Sequence, residues 1–317
     1  MIDNFLIVAR QVAILFVLMG FGAVMRKAGF FKENAIDGLV NVLILVVTPC
    51  LIVDVFQRPF DPSMLRGLGL AFAIAALIHA ALILLAGCVI RHRDENVRRP
   101  LQLASVFSNA GFMGIPLEQA VLGDAGVFFG IVYVVVFNLF IWSWGIGMMR
   151  NGELRKWDGG RRSLDLHSVV NPGTVGIALG LPLFFSSAKL PAVIGEPIHH
   201  MANLNTPLAM IVIGYALMGA EFGKVLRTGA VYVAAFVRLV VCPLLVIAAL
   251  YPFRQTLDRN LMLAITVAAS APVAAMVSMF ASKYGRDVSV SVAVVSGTTL
   301  LSILTMPVVI ALAMSVL

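Results

Sequence analysis

Runs of about 20 apolar residues recur along the chain, and the charged residues are concentrated in the short gaps between these runs. A run of this length can cross the hydrocarbon core of a bilayer as an α-helix. Only 12% of the residues are charged, against about 25% in soluble domains, and the mean hydropathy is +0.98. The sequence therefore predicts an all-α polytopic membrane protein.

The apolar runs predict ten transmembrane helices in two halves of five. Residues 1–150 are expected to form the first five-helix repeat, residues 151–168 a cytoplasmic linker and residues 169–317 the second repeat. Because five is an odd number, equivalent helices of the two halves run in opposite directions, which makes an inverted repeat. The predicted helices are at 5–25, 36–56, 67–90, 100–121, 126–149, 169–187, 198–219, 228–250, 259–282 and 289–315.

Lysine and arginine are distributed unequally between the two sides of these helices. The gaps after odd-numbered helices hold 16 of them, and the gaps after even-numbered helices hold 5. Since cytoplasmic loops carry the excess of positive charge, we expect both termini outside the cell, in a multi-pass protein of the bacterial inner membrane. The net charge of +7 then reflects loops that set the topology, and no nucleic acid partner is expected.

Proline interrupts the apolar runs at matching places in the two halves. Pro116 and Pro272 each interrupt a run, and a Thr-Pro pair lies upstream of each, at Pro49 and Pro207. The two prolines are 67 residues apart in the first half and 65 residues apart in the second. Proline is common enough in membrane helices for the spacings to coincide by chance. Paired broken helices in a repeated membrane fold otherwise indicate a transporter binding site.

Polar and small residues cluster around the two predicted breaks. The N-terminal end of a half-helix carries partial positive charge and open N–H donors, which attract a carboxylate. Small and polar residues also pack membrane helices together, so a single serine or glycine is weak evidence for a site. The candidate substrate-binding residues are Ser108, Asn109, Gly111, Gly114, Pro116, Ser270 and Pro272, with Arg238 as a further candidate.

Two basic side chains lie within the predicted helices at equivalent positions of the repeat. These are His79 in helix 3 and Arg238 in helix 8, which are 159 residues apart. A buried arginine must face protein or water and find a partner. Arg238 could contribute to an anion or coupling site, or it could be a structural cation that binds helix-end carbonyls. For His79 the structural interpretation is favoured.

Acidic residues are scarce near the predicted breaks. Glu118 follows Pro116 by two residues, and Asp54 and Asp258 lie near outer helix ends. None of them is a good candidate for the mid-membrane carboxylate that a cation/proton antiporter needs. We therefore expect a site with positive potential, built for an anion, and an electrogenic response to substrate.

The sequence contains no recognisable enzyme constellation. His199 and His200 are adjacent rather than four residues apart and lack the glutamate of a zinc motif, and there is no P-loop for ATP. The three cysteines, Cys50, Cys88 and Cys242, are far apart and give no metal or disulfide framework. We expect a protein that is not an enzyme and that uses no cofactor or metal.

The segment from Asn109 to Leu117 resembles broken helix 4 of the auxin efflux carrier family, and the segment from Pro272 to Tyr284 resembles its broken helix 9. The resemblance implies ten helices in two inverted sets of five. Helices 1, 2, 6 and 7 would form a scaffold through which the protein could form a homodimer, and helices 3–5 and 8–10 a transport domain. It also implies small organic anions such as auxin or malonate as substrates, with the carboxylate-binding asparagine at Asn109.

Three functions remain open from the sequence. The first is a secondary-active or uniport carrier for a small organic anion, which works by alternating access about the crossed helices. The second is a sodium-coupled organic-anion symporter of the bile-acid type, which shares this layout. The third is a sensor on a carrier scaffold that does not transport. The gap from Arg150 to Ser168 is short, which favours a bacterial-type carrier.

Overall fold

A computed structural model of the chain describes residues 2–30, 33–150, 172–219 and 228–317, which are predominantly helical. This part of the chain contains no named strand, and its β-type pairing is limited to a bridge between Ser108 and Val273. The predicted linker, 151–168, lies outside the described residues. The helices are α1 (Ile2–Lys27), α2 (Glu33–Val42), α3 (Thr48–Phe56), α4 (Pro62–Val89), α5 (Glu95–Val106), α6 (Ile115–Leu122), α7 (Asp124–Phe140), α8 (Ile146–Met149), α9 (Pro172–Ser186), α10 (Ala192–Asn203), α11 (Asn205–Met218), α12 (Gly229–Phe236), α13 (Cys242–Leu250), α14 (Arg259–Ser270), α15 (Met276–Lys283) and α16 (Val288–Val316).

Seven helical stretches among the described residues are long and apolar enough to cross a membrane. Each contains a strongly apolar window with at most two charged residues, as the hydrocarbon core requires. The chain is therefore a multi-pass membrane protein, in agreement with its hydropathy. The stretches are Phe5–Lys27, Ala35–Phe56, Pro62–Val89, Asp124–Met149, Ala192–Met218, Gly229–Phe253 and Val288–Val316.

The stretches predicted as helices 100–121 and 259–282 are each divided into two shorter helices. α5 is separated from α6 by an extended segment and a π-helical turn, and α14 is separated from α15 by an extended segment. α5 begins at Glu95, before the predicted start, because the Asp94 carboxylate accepts a hydrogen bond from the Asn96 N–H at 2.8 Å. Such a cap satisfies one of the free N–H groups at the start of a helix.

Pro116 does not mark the interruption of the first broken helix, which corrects the sequence analysis. The regular helix ends at Val106, and Pro116 is the second residue of α6. A π turn, Ala110–Gly114, precedes α6, and the same arrangement puts Pro49 and Pro243 directly after π turns. A proline inside a continuous α-helix clashes with the preceding turn, and the wider π turn relieves that clash. Pro272, in contrast, lies within the extended segment between α14 and α15.

The helices outside the two broken pairs pack closely on one another. α1 packs mainly against α11 and α16, while α3 packs against α9 and α10. A Cβ atom at Gly214 of α11 would overlap the carbonyl oxygen of Met19, and a Cβ atom at Gly22 would overlap the carbonyl oxygen of Ile211. The two glycines therefore let α1 and α11 approach until their backbones touch, as small residues commonly do in membrane bundles.

We expect Gly214→Ala to lower the free energy of unfolding by about 1–3 kcal/mol, since the added methyl forces α1 and α11 apart. Gly20→Ala is the matched control, because a Cβ atom at Gly20 meets nothing within 4 Å. Thermal unfolding of the purified variants in detergent measures the difference. Equal Tm values for the two variants would show that the close approach is not needed for stability.

Candidate functional site

The two interrupted helices cross at their extended segments. The Asn109 N–H donates to the Pro272 carbonyl at 2.7 Å, and the Ala274 N–H donates to the Phe107 carbonyl at 3.0 Å. Ser108 lies opposite Val273 in this short antiparallel pair. Non-helical backbone at membrane depth survives only where its polar groups are satisfied within the protein. Each segment therefore supplies the hydrogen-bond partners that the other segment needs.

A third contact completes the pairing on the side of the second segment. The Val273 N–H donates to the Thr298 hydroxyl oxygen at 3.1 Å, and that hydroxyl donates in turn to the Val294 carbonyl at 2.7 Å. Thr298 lies on α16 and is fully buried. The sequence analysis missed Thr298, because one threonine among the several Ser and Thr residues of α16 carries no distinguishing signal.

Arg238 binds the ends of both first half-helices. Its guanidinium donates to the Val106 carbonyl, at the end of α5, at 2.8 Å and to the Ala269 carbonyl, near the end of α14. The last carbonyls of a helix lack intrahelical partners and carry partial negative charge, which a cation stabilises. These contacts favour the interpretation of Arg238 as a structural cation, one of the two that the sequence left open. Arg238 is 0% exposed, and two of its guanidinium N–H groups are bonded to protein carbonyls.

Several polar atoms beside the crossing are buried without a hydrogen-bond partner among the described residues. They belong to different elements that converge on this place. The Tyr133 ring centroid lies 4.9 Å from that of the His79 ring, and the Tyr133 hydroxyl is near Ser108 and Arg238. Buried polar atoms of this kind mark a place where water or a polar part of a ligand can bind. The atoms are His79 Nε2, Ser108 Oγ, Tyr133 OH and Arg238 Nε.

His79 itself has one partner within its own helix. Its Nδ1 lies 2.8 Å from the Ala75 carbonyl, and the ring packs between Phe107 and Phe140. These contacts fit the structural interpretation that the sequence favoured. Tyr133 was missed, although a tyrosine hydroxyl inside an apolar run needs a polar partner and could have been noticed on that ground.

Asn109 is the candidate residue whose side chain is most available. It is 7% exposed, and its carboxamide makes no hydrogen bond to another described residue. Its backbone carbonyl is occupied, since it accepts from the Met113 and Gly114 N–H groups at 2.9 and 3.2 Å. Gly111 is close in sequence, and a Cβ atom there would meet nothing within 4 Å. The start of the π turn therefore carries a carboxamide to which no described residue is hydrogen-bonded.

The remaining candidates have structural contacts. The Ser270 hydroxyl donates to the Val267 carbonyl at 2.8 Å, within its own helix. Gly114 packs against Ala268, whose Cα would lie 3.5 Å from an added Cβ. Pro272 contributes its carbonyl to the crossing, and Pro116 lies beyond the π turn. The structure thus brings Ser108, Asn109 and Pro272 together at the crossing and gives Ser270, Gly114 and Pro116 packing positions near it.

Two cavities open away from the crossing. One, of about 570 Å³, lies between α3, α6 and the joint of α10 and α11, and Ile115 and Gln119 form its wall on α6. The other, of about 920 Å³, lies among the ends of α4, α5 and the α7–α8 region. The second cavity is lined by five basic side chains, Arg91, His92, Arg93, Arg98 and Arg99, of which Arg98 and Arg99 are paired with the Glu95 carboxylate at 2.8 and 2.6 Å.

Membrane-length helices around an unwound, partly polar crossing are features of membrane transporters. The family described as Membrane transport protein matches residues 7–157 and 161–310 of the chain. Because these ranges cover nearly all of the chain, the protein belongs to this family, the auxin efflux carriers.

Two archaeal proteins illustrate how far the similarity extends. An uncharacterized transporter of Methanothermobacter thermautotrophicus is 26% identical over 296 residues, which cover 92% of this chain and 93% of the relative. An uncharacterized transporter of Methanocaldococcus jannaschii is 24% identical over 309 residues, which cover 92% of this chain and 94% of the relative. Both relatives align over nearly their whole length, so the similarity extends through both halves of the chain.

We expect Arg238→Lys to lower the free energy of unfolding by about 2–5 kcal/mol, because one ammonium cannot replace a guanidinium that donates to two separate carbonyls. Arg10→Lys, on the exposed face of α1, is the control for the loss of a guanidinium. Thermal unfolding in detergent gives the comparison. An Arg238→Lys variant that is as stable as the wild type but no longer binds a carboxylate would show that Arg238 is a ligand instead.

Proposed function

We propose that the protein is a carrier for a small organic anion, recognised through a carboxylate at the crossing. The observation that carries this proposal is the Asn109 carboxamide, which lies without a hydrogen-bond partner in the described structure at the start of a half-helix. The first N–H groups of a helix lack intrahelical partners and carry partial positive charge. A carboxylate beside Asn109 would accept hydrogen bonds from both sources.

The proposal includes an inverted repeat of two five-helix halves. The two hydrogen bonds of the crossing support it, since each half donates one N–H and accepts one through a carbonyl. His79 and Arg238 support it as well, because both lie next to the crossing on helices that the repeat makes equivalent. In this arrangement the termini and the loops after α3 and α6 are outside, and the location is the bacterial inner membrane.

The proposed movement is that of the two groups of helices that contain the broken pairs, relative to the remaining helices. α1, α2, α3, α9, α10 and α11 would form the scaffold, and the close approach of α1 and α11 at Gly22 and Gly214 would make it rigid. α4–α8 and α12–α16 would carry the crossing across the membrane in an elevator-like or rocking motion. The 570 Å³ cavity lies between these two groups, which is where a substrate path opens in such a mechanism. A homodimer formed through the scaffold helices would keep the scaffold stationary in the bilayer.

We expect Asn109→Ala to weaken carboxylate binding roughly 10–150-fold, since one hydrogen bond to a charged group is worth about 1.5–3 kcal/mol. Thermal stability should change little, because the Asn109 carboxamide bonds to no described residue. The measurement is calorimetric titration with malonate and with any other mono- or dicarboxylate that raises the Tm of the wild type.

Asn138→Ala is the matched control for this experiment. The Asn138 carboxamide already donates to the Val134 carbonyl at 2.8 Å, so its removal should leave carboxylate affinity unchanged. The proposal is wrong if Asn109→Ala binds carboxylates as tightly as the wild type. Carboxylate binding without exchange of labelled substrate in proteoliposomes would favour a sensor over a carrier.

A further inference from the structure

Glu118 is a fully buried carboxylate in the second half of the first broken helix. It lies on α6, is 0% exposed, and neither of its oxygens has a hydrogen-bond partner among the described residues. The sequence analysis found no good candidate for a mid-membrane carboxylate and passed over Glu118 because it follows Pro116. The structure shows that Glu118 is buried, which makes it a candidate that its sequence distance from the break did not suggest.

The neighbouring helix is shaped to hold this carboxylate. A Cβ atom at Gly130 of α7 would overlap Glu118 Oε2, so a larger residue at that position would have to displace the carboxylate. In the π turn that precedes α6, a Cβ atom at Gly114 would lie 3.9 Å from Glu118 Oε1. The carboxylate therefore occupies a fitted space between α6 and α7 instead of reaching water at a helix end.

No basic group neutralises Glu118 from the elements that pack against it. These elements are α1, α7, α11, α14 and the π turn Ala110–Gly114. Their ionisable side chains are engaged with other groups or are exposed, and no described one bonds to Glu118. They are Asp3, Arg10 and Lys27, exposed on α1; Arg26, which donates to the Tyr215 carbonyl; Asp124, which accepts from Gln119; Tyr133, beside His79; Tyr215, stacked under Arg26; and Arg259, which donates to the Met314 carbonyl.

An isolated carboxylate inside a membrane protein is too costly to remain charged, and it is neutralised by an ion. A proton needs a single oxygen atom, whereas a metal cation needs a shell of oxygen ligands. Among the described residues, no group of three or more His, Cys, Asp or Glu could hold a metal ion. A single carboxylate oxygen is enough to bind a proton, and we take the proton as the ion for Glu118; sodium, which carbonyl and hydroxyl oxygens can also hold, is the alternative that the test below separates.

Access to Glu118 can change during a transport cycle. Ile115 and Gln119, its neighbours on α6, line the cavity of about 570 Å³ between α6 and the helices proposed as scaffold. α6 belongs to the group of helices proposed to move. A shift of this group against the scaffold would alter the contacts of α6, and with them the path between Glu118 and the water on each side.

We propose that Glu118 is the proton-binding site through which this carrier couples anion transport to a proton. The proposal rests on the carrier function argued above. Glu118 takes up a proton from one side and releases it on the other side in the cycle that moves the anion. For a monocarboxylate, the one proton carried by Glu118 makes the cycle electroneutral, which replaces the electrogenic response expected from the sequence; a dianion such as malonate carries one uncompensated charge.

The test compares wild type, Glu118→Gln and Glu118→Met in proteoliposomes that contain a pH-sensitive dye. Glu118→Gln keeps the size of the protonated acid, and Glu118→Met tests the same loss in an apolar side chain of similar length. Asp37→Asn, which removes an exposed carboxylate on α2, is the control. Labelled malonate counterflow reports the carrier function, and the internal pH change during net malonate uptake reports the proton.

Both Glu118 variants should retain malonate counterflow and lose the uptake-driven pH change, while Asp37→Asn keeps both. Their Tm should equal or exceed that of the wild type, because each removes an unpaired buried carboxylate. The infrared spectrum of the purified wild type minus that of Glu118→Gln should show the band of a protonated carboxyl. This measurement needs no substrate.

Three results would overturn the proposal: no such infrared band, a pH change that persists in both variants, or wild-type uptake that follows a sodium gradient and leaves the pH unchanged. Failure of counterflow in the wild type, with the band present, would instead refute the carrier function.

Discussion

A single guanidinium joins the carboxyl-terminal ends of two helices from opposite halves of the chain. Arg238 donates to the carbonyls of Val106 and Ala269, in the last turns of α5 and α14. Each helix end exposes carbonyls that lipid cannot satisfy, and their partial charges repel one another. The cation compensates both ends at once, so the crossing of the extended segments beyond them can form. The buried arginine is in turn tolerated because two carbonyls receive its N–H groups.

At the crossing, the backbone N–H groups are hydrogen-bonded within the protein, whereas two side chains are not. The N–H groups of Asn109, Val273 and Ala274 are all bonded within the protein. The Asn109 carboxamide is not, and neither is the Ser108 hydroxyl. A carboxylate that bound beside Asn109, as proposed, would not require these backbone groups to release their own partners, so such a site would be preorganised. Glu118 is similar, because its carboxylate lies against Gly130 and is not hydrogen-bonded to another described residue.

The membrane character of the chain follows from composition and the spacing of apolar runs, because hydrocarbon imposes a fixed helix length. Asn109 could be proposed as a ligand from the sequence, since its amide lies in an apolar run two residues before Gly111, and that proposal stays a prediction. The interruption could not be located from Pro116, because proline is well accommodated in the first turn of a helix after a π turn. The extended segments depend on the hydrogen bonds from Asn109 to Pro272 and from Ala274 to Phe107, residues that are distant in sequence. The hydrogen bond between Val273 and Thr298 and the burial of Glu118 likewise depend on tertiary packing.

The central claim is that a carboxylate binds at the crossing, beside Asn109. The most direct measurement is an electron cryo-microscopy structure of the protein with malonate at saturating concentration. The account predicts density for the carboxylate within hydrogen-bond distance of the Asn109 carboxamide. Malonate density confined to the cavity lined by Arg91, Arg93 and Arg98, with the crossing empty, would contradict it.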